Sequence, residues 1–379
     1  MKYKILSIIL MHFLFSVQGQ NTSKTFLFVG TYTEGKPGKG IYIYRFDSTT
    51  GRLKKVFTGK NITNPSFITL SPDGKYVYAC TDTRLKTEGS VSAFMFDSIH
   101  GSLKNLNKQV SGGVNPVYLT ASRNNEFVVN ANYTDGTVSV FKTFPDGSLQ
   151  PFSQLIRLNG KGPNHRRQEQ AHIHAAVFSP DFEYVYFPDL GADKIRVFKF
   201  NPKETLPLKP IANFDYTASP GSGPRHFTFH PNNHFAYCIE ELSGTITAFK
   251  YQNGKLETLQ RIFSYSKMQE EYNSADIHVS PDGSFLYASN RWDNENTISI
   301  FSIDKDNGKL TLVGHQPTYG DHPRNFTFDP TGNFLLVANQ VTNNIIVFKR
   351  DLKTGLLTKN GKGVRVANPS CLQMRKYGS

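Results

Sequence analysis

Tryptophan, methionine and cysteine are all scarce in this 379-residue chain, at one, five and three residues. Three cysteines can close at most one intramolecular disulfide, so a disulfide scaffold is excluded. Cys80, Cys238 and Cys371 sit in apolar, strand-like runs (YVYAC, FAYCI, PSCLQM) and read as small buried hydrophobes rather than reactive thiols. No apolar run exceeds about 13 residues, too short to cross a bilayer core of ~30 Å at ~1.5 Å per residue, so no membrane insertion is expected. A Gly-x-Ser-x-Gly elbow and a Cys/His arrangement of a thiol enzyme are both missing. The run GKPGKG at 35–40 lacks the Lys-Ser/Thr and helix of a phosphate loop and reads as a basic surface loop. No cofactor is expected.

What is abundant points to strands. Thirty Phe and 18 Tyr suit pleated, half-buried surfaces, and 38% hydrophobic with 19% charged residues describes a chain that folds around a core. Lys and Arg exceed Asp and Glu by 43 to 30, a net charge of +13 that favours an anionic partner. The basic residues are spread over turns rather than along a stripe with interleaved aromatics, which argues against nucleic acid. A small anionic molecule is the simplest guest.

Lys2 and Lys4 precede a mostly apolar run at 5–17, and Gly19 offers a small residue for cleavage, the pattern of an export signal. Residues 1–19 are therefore expected to be a signal peptide, and 20–379 a single exported domain, periplasmic or secreted, and monomeric. No Cys follows the run to accept a lipid.

That domain is a repeat. SPDGKYVYAC from Ser71, SRNNEFVVNA from Ser122, SPDFEYVYFP from Ser179, HPNNHFAYCI from His230, SPDGSFLYAS from Ser280 and DPTGNFLLVA from Asp329 recur about every 50 residues. Each reads as strand, tight turn, strand. Third strands follow, such as VSAFMFD from Val91 and ITAFKYQ from Ile246, then Gly-Ser-Leu or Gly-Lys-Leu turns into a fourth. Four strands per ~50 residues is the signature of a propeller blade. A seventh unit is assembled from the chain ends, because NPSCLQM from Asn368 echoes NPSFITL from Asn64 and TFLFVG from Thr25 echoes a second strand. The reading is an all-β, seven-bladed propeller with four antiparallel strands per blade, closed by N- and C-terminal strands in one blade.

Aligned on their turns, the units open their inner strands at Ser66, Val117, His174, Arg225, Ala275, Arg324 and Ser370. They end their second strands at Thr31-Tyr32, Thr81-Asp82, Asn132-Tyr133, Asp189-Leu190, Glu240-Glu241, Asn290-Arg291 and Asn339-Gln340. In antiparallel strands the start of one lies beside the end of the other, so both sets rim one mouth of the channel. That mouth collects His174, Arg225, Arg291, Arg324, Asp189, Glu240 and Glu241, with His172, Arg167, Glu169 and His226 nearby in sequence. Guanidinium groups there suit a carboxylate or phosphate, although Arg225 and Arg324 equally suit ties between blades. His172 and His174 lie two apart on a strand as a metal pair would, but no third ligand has confident spacing, and no metal is assigned. Asp181 and Asp282 belong to turns.

Several stretches, in order along the chain, carry a resemblance. They include QEQAHIH from Gln168, YVYFPDLGAD from Tyr184, GSGPRHFTFHP from Gly221, ELSGT from Glu241, IHVSPDG from Ile277 with SNR from Ser289, and PRNF from Pro323 with VANQ from Val337. Together they resemble the lactonase family of seven-bladed propellers, which includes 6-phosphogluconolactonases and carboxymuconate lactonising enzymes. The resemblance implies catalytic roles for His174, Arg225, Glu241 and Arg291. It also implies a metal-independent lactone hydrolase opening a sugar-acid lactone; the register at the mouth adds Arg324, His172, Arg167, Glu169, His226 and Asp189 as substrate-binding candidates. Arg225 and Arg291 would hold the anion and developing oxyanion, and either His174 or Glu241 would activate water. Lactonisation of a carboxymuconate-type dicarboxylic acid is the alternative chemistry. A non-catalytic exported propeller that binds a ligand or protein is the alternative class.

Overall fold

The computed structural model describes residues 23–33, 40–292 and 295–378; the expected leader and the basic run at 35–39 lie outside the described residues. Seven antiparallel sheets follow one another around a ring, and the described residues contain no helix. Five sheets have four strands. In the other two the outermost strand is split in two, as Leu208–Pro210 with Tyr216–Thr217 and Leu357–Lys359 with Val364–Arg365.

The aromatic and aliphatic alternation of the repeats becomes inter-blade packing. Second strands such as Phe235–Glu240 and Phe334–Asn339 are buried at every residue, because both faces of the sheet meet a neighbouring blade. Outer strands such as Lys255–Phe263 are largely solvated. The Tyr hydroxyl in the middle of a second strand donates to a turn glycine about 70 residues on: Tyr78 to Gly147 O, Tyr186 to Gly254 O, Tyr237 to Gly308 O and Tyr287 to Gly355 O. One tie repeated around the ring thus fixes the angle between blades. Asp181 and Asp282 accept from their own turn backbones, as their context implied. The three cysteines are free and buried, and burial pushes the Cys371 thiol up to about 12.

Ring closure follows the echo between the chain ends. Pro369–Tyr377 is the inner strand of the blade whose remaining strands are Lys24–Thr31, Tyr42–Asp47 and Arg52–Thr58, paired antiparallel from Lys24↔Tyr377 to Thr31↔Pro369. Closure leaves no inner edge open to another chain.

At the mouth the inner strands are not regular. The pairing slips between Pro116 and Tyr118, Pro224 and His226, Ser274 and Ile277, and Pro323 and Asn325, leaving Val117, Arg225, Ala275-Asp276 and Arg324 as extra residues; opposite the Gly30/Thr31 slip, Ser370 is extra too. In the His174 blade the regular inner strand shrinks to Val177–Phe178, with an isolated bridge Ile173↔Asp189 above it. A bulged residue is unpaired and its side chain is re-aimed. Five of the seven positions that the repeat alignment marks as strand openings, Val117, Arg225, Ala275, Arg324 and Ser370, are therefore bulges.

Leu372, 1% exposed, packs among Leu27, Val29 and Leu336 at the closing seam. Leu372→Ala should cost about 2–5 kcal/mol in urea denaturation; a cost below about 1 kcal/mol would mean the seam is loosely held.

Candidate active site

The bulges and second-strand ends enclose a cavity of about 220 Å³ lined by Tyr32, Arg84, Tyr133, Arg167, His174, Glu241, Asn273, Arg291 and Arg324, among others. Its electrostatic centre is Glu241. Oε2 lies 2.7 Å from Arg225 Nε and 3.1 Å from Arg291 Nη2, while Oε1 lies 2.6 Å from Arg167 Nη2. Burial alone would raise this carboxyl, but the three guanidinium groups outweigh it and hold Glu241 far below the usual carboxylate range. Its backbone N donates to Gly223 O at 2.7 Å. Gly223 sits at φ +64, and a Cβ there would meet Leu242 Cγ at 2.7 Å, so this turn requires glycine.

The arginines have different states. Arg225 is 1% exposed, does not line the cavity, and is held by Glu241 and by Ala275 O. This corrects the expectation that it grips the substrate: the bulge turns it behind Glu241, where it is a support. Arg291 lines the cavity but is clamped by Asn273, through Nε to the carbonyl at 3.1 Å and Nη2 to Oδ1 at 2.5 Å, and donates Nη1 to His322 Nε2 at 3.1 Å. Burial draws Arg291 down to about 9 and Arg225 to about 10 against the pull of Glu241. Arg324 lines the cavity, and among the described residues no carboxylate lies within ion-pair distance of it. Among the described residues, Arg167, Arg225, Arg291 and Arg324 gather around the single carboxylate of Glu241, so cationic groups outnumber it.

His174 projects into the same cavity, with its backbone N bonded to Pro188 O at 2.9 Å. Burial first, then Arg225, His226 and Arg324, push its imidazole well below 6.5, so it is neutral at pH 7. Its Nδ1 is buried without a partner among the described residues. His322 is likewise held down, to about 2, by burial and Arg291.

The remaining candidates divide between support and other surroundings. Arg167 lines the cavity on Glu241. His172 stacks on Tyr133 at 4.5 Å and uses both ring nitrogens, on Tyr133 O at 2.9 Å and Glu169 Oε1 at 3.2 Å, so neither it nor half-exposed Glu169 reaches the guest. Asp189 is fully buried and accepts from His172 N, Ala192 N and Arg196, holding the turn beneath the site rather than substrate. Glu240 faces the next strand, bound to Thr247 and Arg261. His226 lies further along the channel in a second cavity of about 310 Å³, its Nδ1 2.7 Å from Asp276, which also receives His278 Nε2 at 3.0 Å. The bulge at Arg225 explains the departure of His226, since adjacent residues of an irregular strand need not alternate faces.

Arg84 comes from a connecting loop with no register, whereas Asn273 and His322 stand two residues ahead of the strand openings Ala275 and Arg324, in the register of Asn64, Asn115 and Asn368, and were legible there. Tyr32 and Tyr133 stood in the same register as Glu241 and Arg291, and their phenols were legible there.

These features define a class: a closed propeller ring with an anion-seeking, water-sized-to-sugar-sized pocket at one mouth, holding a neutral histidine against clustered arginines. The chain matches the family model Lactonase, 7-bladed beta-propeller, over residues 26–374, and belongs to that family. A relative named 6-phosphogluconolactonase from Formosa agariphila is 44% identical, across 93% of this chain and 99% of its own length. A solved structure from Bacteroides fragilis superposes with a TM-score of 0.89 at 40% identity, covering 94% of this chain and 99% of the other. The periplasmic gluconolactonase PpgL of Pseudomonas aeruginosa superposes with a TM-score of 0.87 at 34% identity, covering 93% and 99%.

Glu241→Gln removes the charge that three guanidinium groups share. Unpaired buried charge of this kind should destabilise the fold by about 3–5 kcal/mol, read from urea denaturation at pH 7; a variant as stable as the parent would show that the arginines do not depend on Glu241.

Proposed function

We propose that the chain is a lactone hydrolase that opens a sugar-acid lactone, with His174 as the base. The observation that carries the reading is the neutral imidazole of His174, its Nδ1 without a partner among the described residues, sharing a cavity of about 220 Å³ with clamped Arg291 and with Arg324, which no described carboxylate pairs. That volume is below the ~300–1,000 Å³ of drug-sized pockets and suits one compact polar ring. The family membership and the relatives' names support the reaction class.

A sugar-acid lactone offers an electrophilic carbonyl and, when phosphorylated, a fixed anion. Arg324 takes the anionic or hydroxyl-rich end. Arg291, immobilised by Asn273 and Glu241, presents its guanidinium to the oxyanion as the carbonyl carbon becomes tetrahedral, and fixed donors stabilise that charge without reorganising. His174 accepts a proton from the attacking water. In the empty site an imidazolium beside arginines is disfavoured, but the oxyanion forming opposite it offsets that repulsion. Glu241 is too stabilised as a carboxylate to compete for the proton, so its role is to hold the arginines in place. Export of the chain through the leader at 1–19 favours a lactone available outside the cytoplasm. Turnover of glucono-δ-lactone and its 6-phosphate by the mature chain, compared side by side, tests substrate and reaction together; no turnover of either, with stabilisation of the fold by sugar acids, would favour the binding alternative.

Two outcomes are expected of His174. Asparagine at this position should lower kcat by about 10²-fold or more with little change in KM; wild-type rates in His174→Asn would end the assignment. Because the folded imidazole stays neutral below 6.5, kcat/KM should hold level from pH 7.5 down past pH 6.5 and fall only at lower pH. An acid limb at or above pH 6.5 would mean that another group is the base.

A further inference from the structure

Expulsion of the ring oxygen leaves an alkoxide about as basic as hydroxide, so ring opening needs a proton donor as well as a base. The cavity lining supplies few. Glu241 is ionised and committed to three arginines. The Tyr133 phenol already accepts from Arg167 Nη2 at 3.4 Å, and burial pushes it up, away from acidity. Tyr32 is different. It is 2% exposed and lines the cavity, and among the described residues its hydroxyl is not engaged in a hydrogen bond as that of Tyr133 is. Its ring lies under two guanidinium groups, Arg84 at 3.6 Å and Arg324 at 5.5 Å from the ring centre. The backbone is pinned on each side: Thr31 N to Pro65 O at 2.9 Å, Tyr32 N to Asn368 O at 3.1 Å, and Thr33 N to Asn64 Oδ1 at 2.7 Å.

We propose that Tyr32 is the general acid that protonates the departing ring oxygen, opposite His174 in the same cavity. This rests on the lactone-hydrolase reading and deepens it. Water adds to the carbonyl carbon as His174 takes one of its protons. The tetrahedral centre then collapses, the bond from the carbonyl carbon to the ring oxygen breaks, and that oxygen takes the Tyr32 hydroxyl proton. The new carboxylic acid returns a proton to the Tyr32 phenolate, His174 loses its own to solvent, and one proton is released per turnover. The surroundings favour this step. Burial would make the phenol less acidic, but Arg324, Arg84, Arg225 and Arg291 outweigh it and hold Tyr32 below the ordinary value of 10. Arg324, taking the substrate's anionic end, would also seat the lactone against this ring.

Tyr32→Phe keeps the ring under Arg84 and removes only the hydroxyl. The wild-type rate on glucono-δ-lactone and its 6-phosphate is measured first, and its absence on both would refute the lactonase reading itself. With wild-type turnover in hand, the variant should lose about 10²-fold or more in kcat on the alkyl lactone turned over but only a few-fold on dihydrocoumarin, whose phenolate departs without a proton. The alkaline limb of the wild-type kcat/KM profile should lie below pH 10, since a general acid is lost as pH rises through its pKa, and should vanish in the variant. If wild type does not accept the aryl lactone, that limb alone decides. Equal losses on both lactones, an unchanged rate on the alkyl lactone, or an alkaline limb that persists in Tyr32→Phe would overturn the proposal.

Discussion

The pairing of the last strand with the first is the constraint from which the site follows. Lys24–Thr31 ends at the mouth only because Pro369–Tyr377 holds its whole length in antiparallel register. Tyr32 N then meets Asn368 O, while Ser370 Oγ reaches Ser66 O in the next blade. A ring left open there would keep most of its hydrophobic clusters but would lose the wall that carries Tyr32, and with it the stacking of Arg84 and Arg324. Closure and site geometry are therefore one problem, solved by hydrogen bonds between residues more than 300 positions apart.

Within the closed ring, charge decides what the mouth can hold. Glu241 gathers three guanidinium groups that would otherwise repel, and its carboxylate leaves Arg167, Arg225 and Arg291 rigid rather than neutralised. Rigidity matters because a preorganised donor does its electrostatic work without moving when the transition state forms. Burial first, and then the same positive surplus, keep His174 neutral, and that surplus outweighs burial to make the Tyr32 phenol more acidic. One field thus pushes two titratable groups in the directions that a base and an acid require, a pattern found where environments separate paired pKa values.

The second cavity shows the opposite balance. There Asp276 sits between His226 and His278, and the neighbouring walls are Tyr118, Phe178 and Phe227. Burial and Arg225 hold His226 down to about 4 despite Asp276, whereas Asp276 raises His278 against the effect of burial. The channel is polarised along its length, with an acidic, aromatic stretch following a basic mouth.

The propeller, its seven units and the blade made from both termini were all legible in the chain, because turn tetrads and alternating aromatics repeat locally every ~50 residues. The register of strand ends likewise brought His174, Glu241, Arg291 and Arg324 to one mouth, since antiparallel neighbours must place start beside end. What the sequence could not express was direction. The bulge at the head of their inner strand turns Arg225 behind Glu241 and sends His226 down the channel, although both are neighbours of the predicted rim. Arg84 enters from a loop of no fixed period, and Tyr32 acquires its acidity only from arginines drawn together by other blades. Periodicity is a property of neighbours along the chain and so can be read there; pocket chemistry is set by through-space charge and burial, which exist only once the ring has closed.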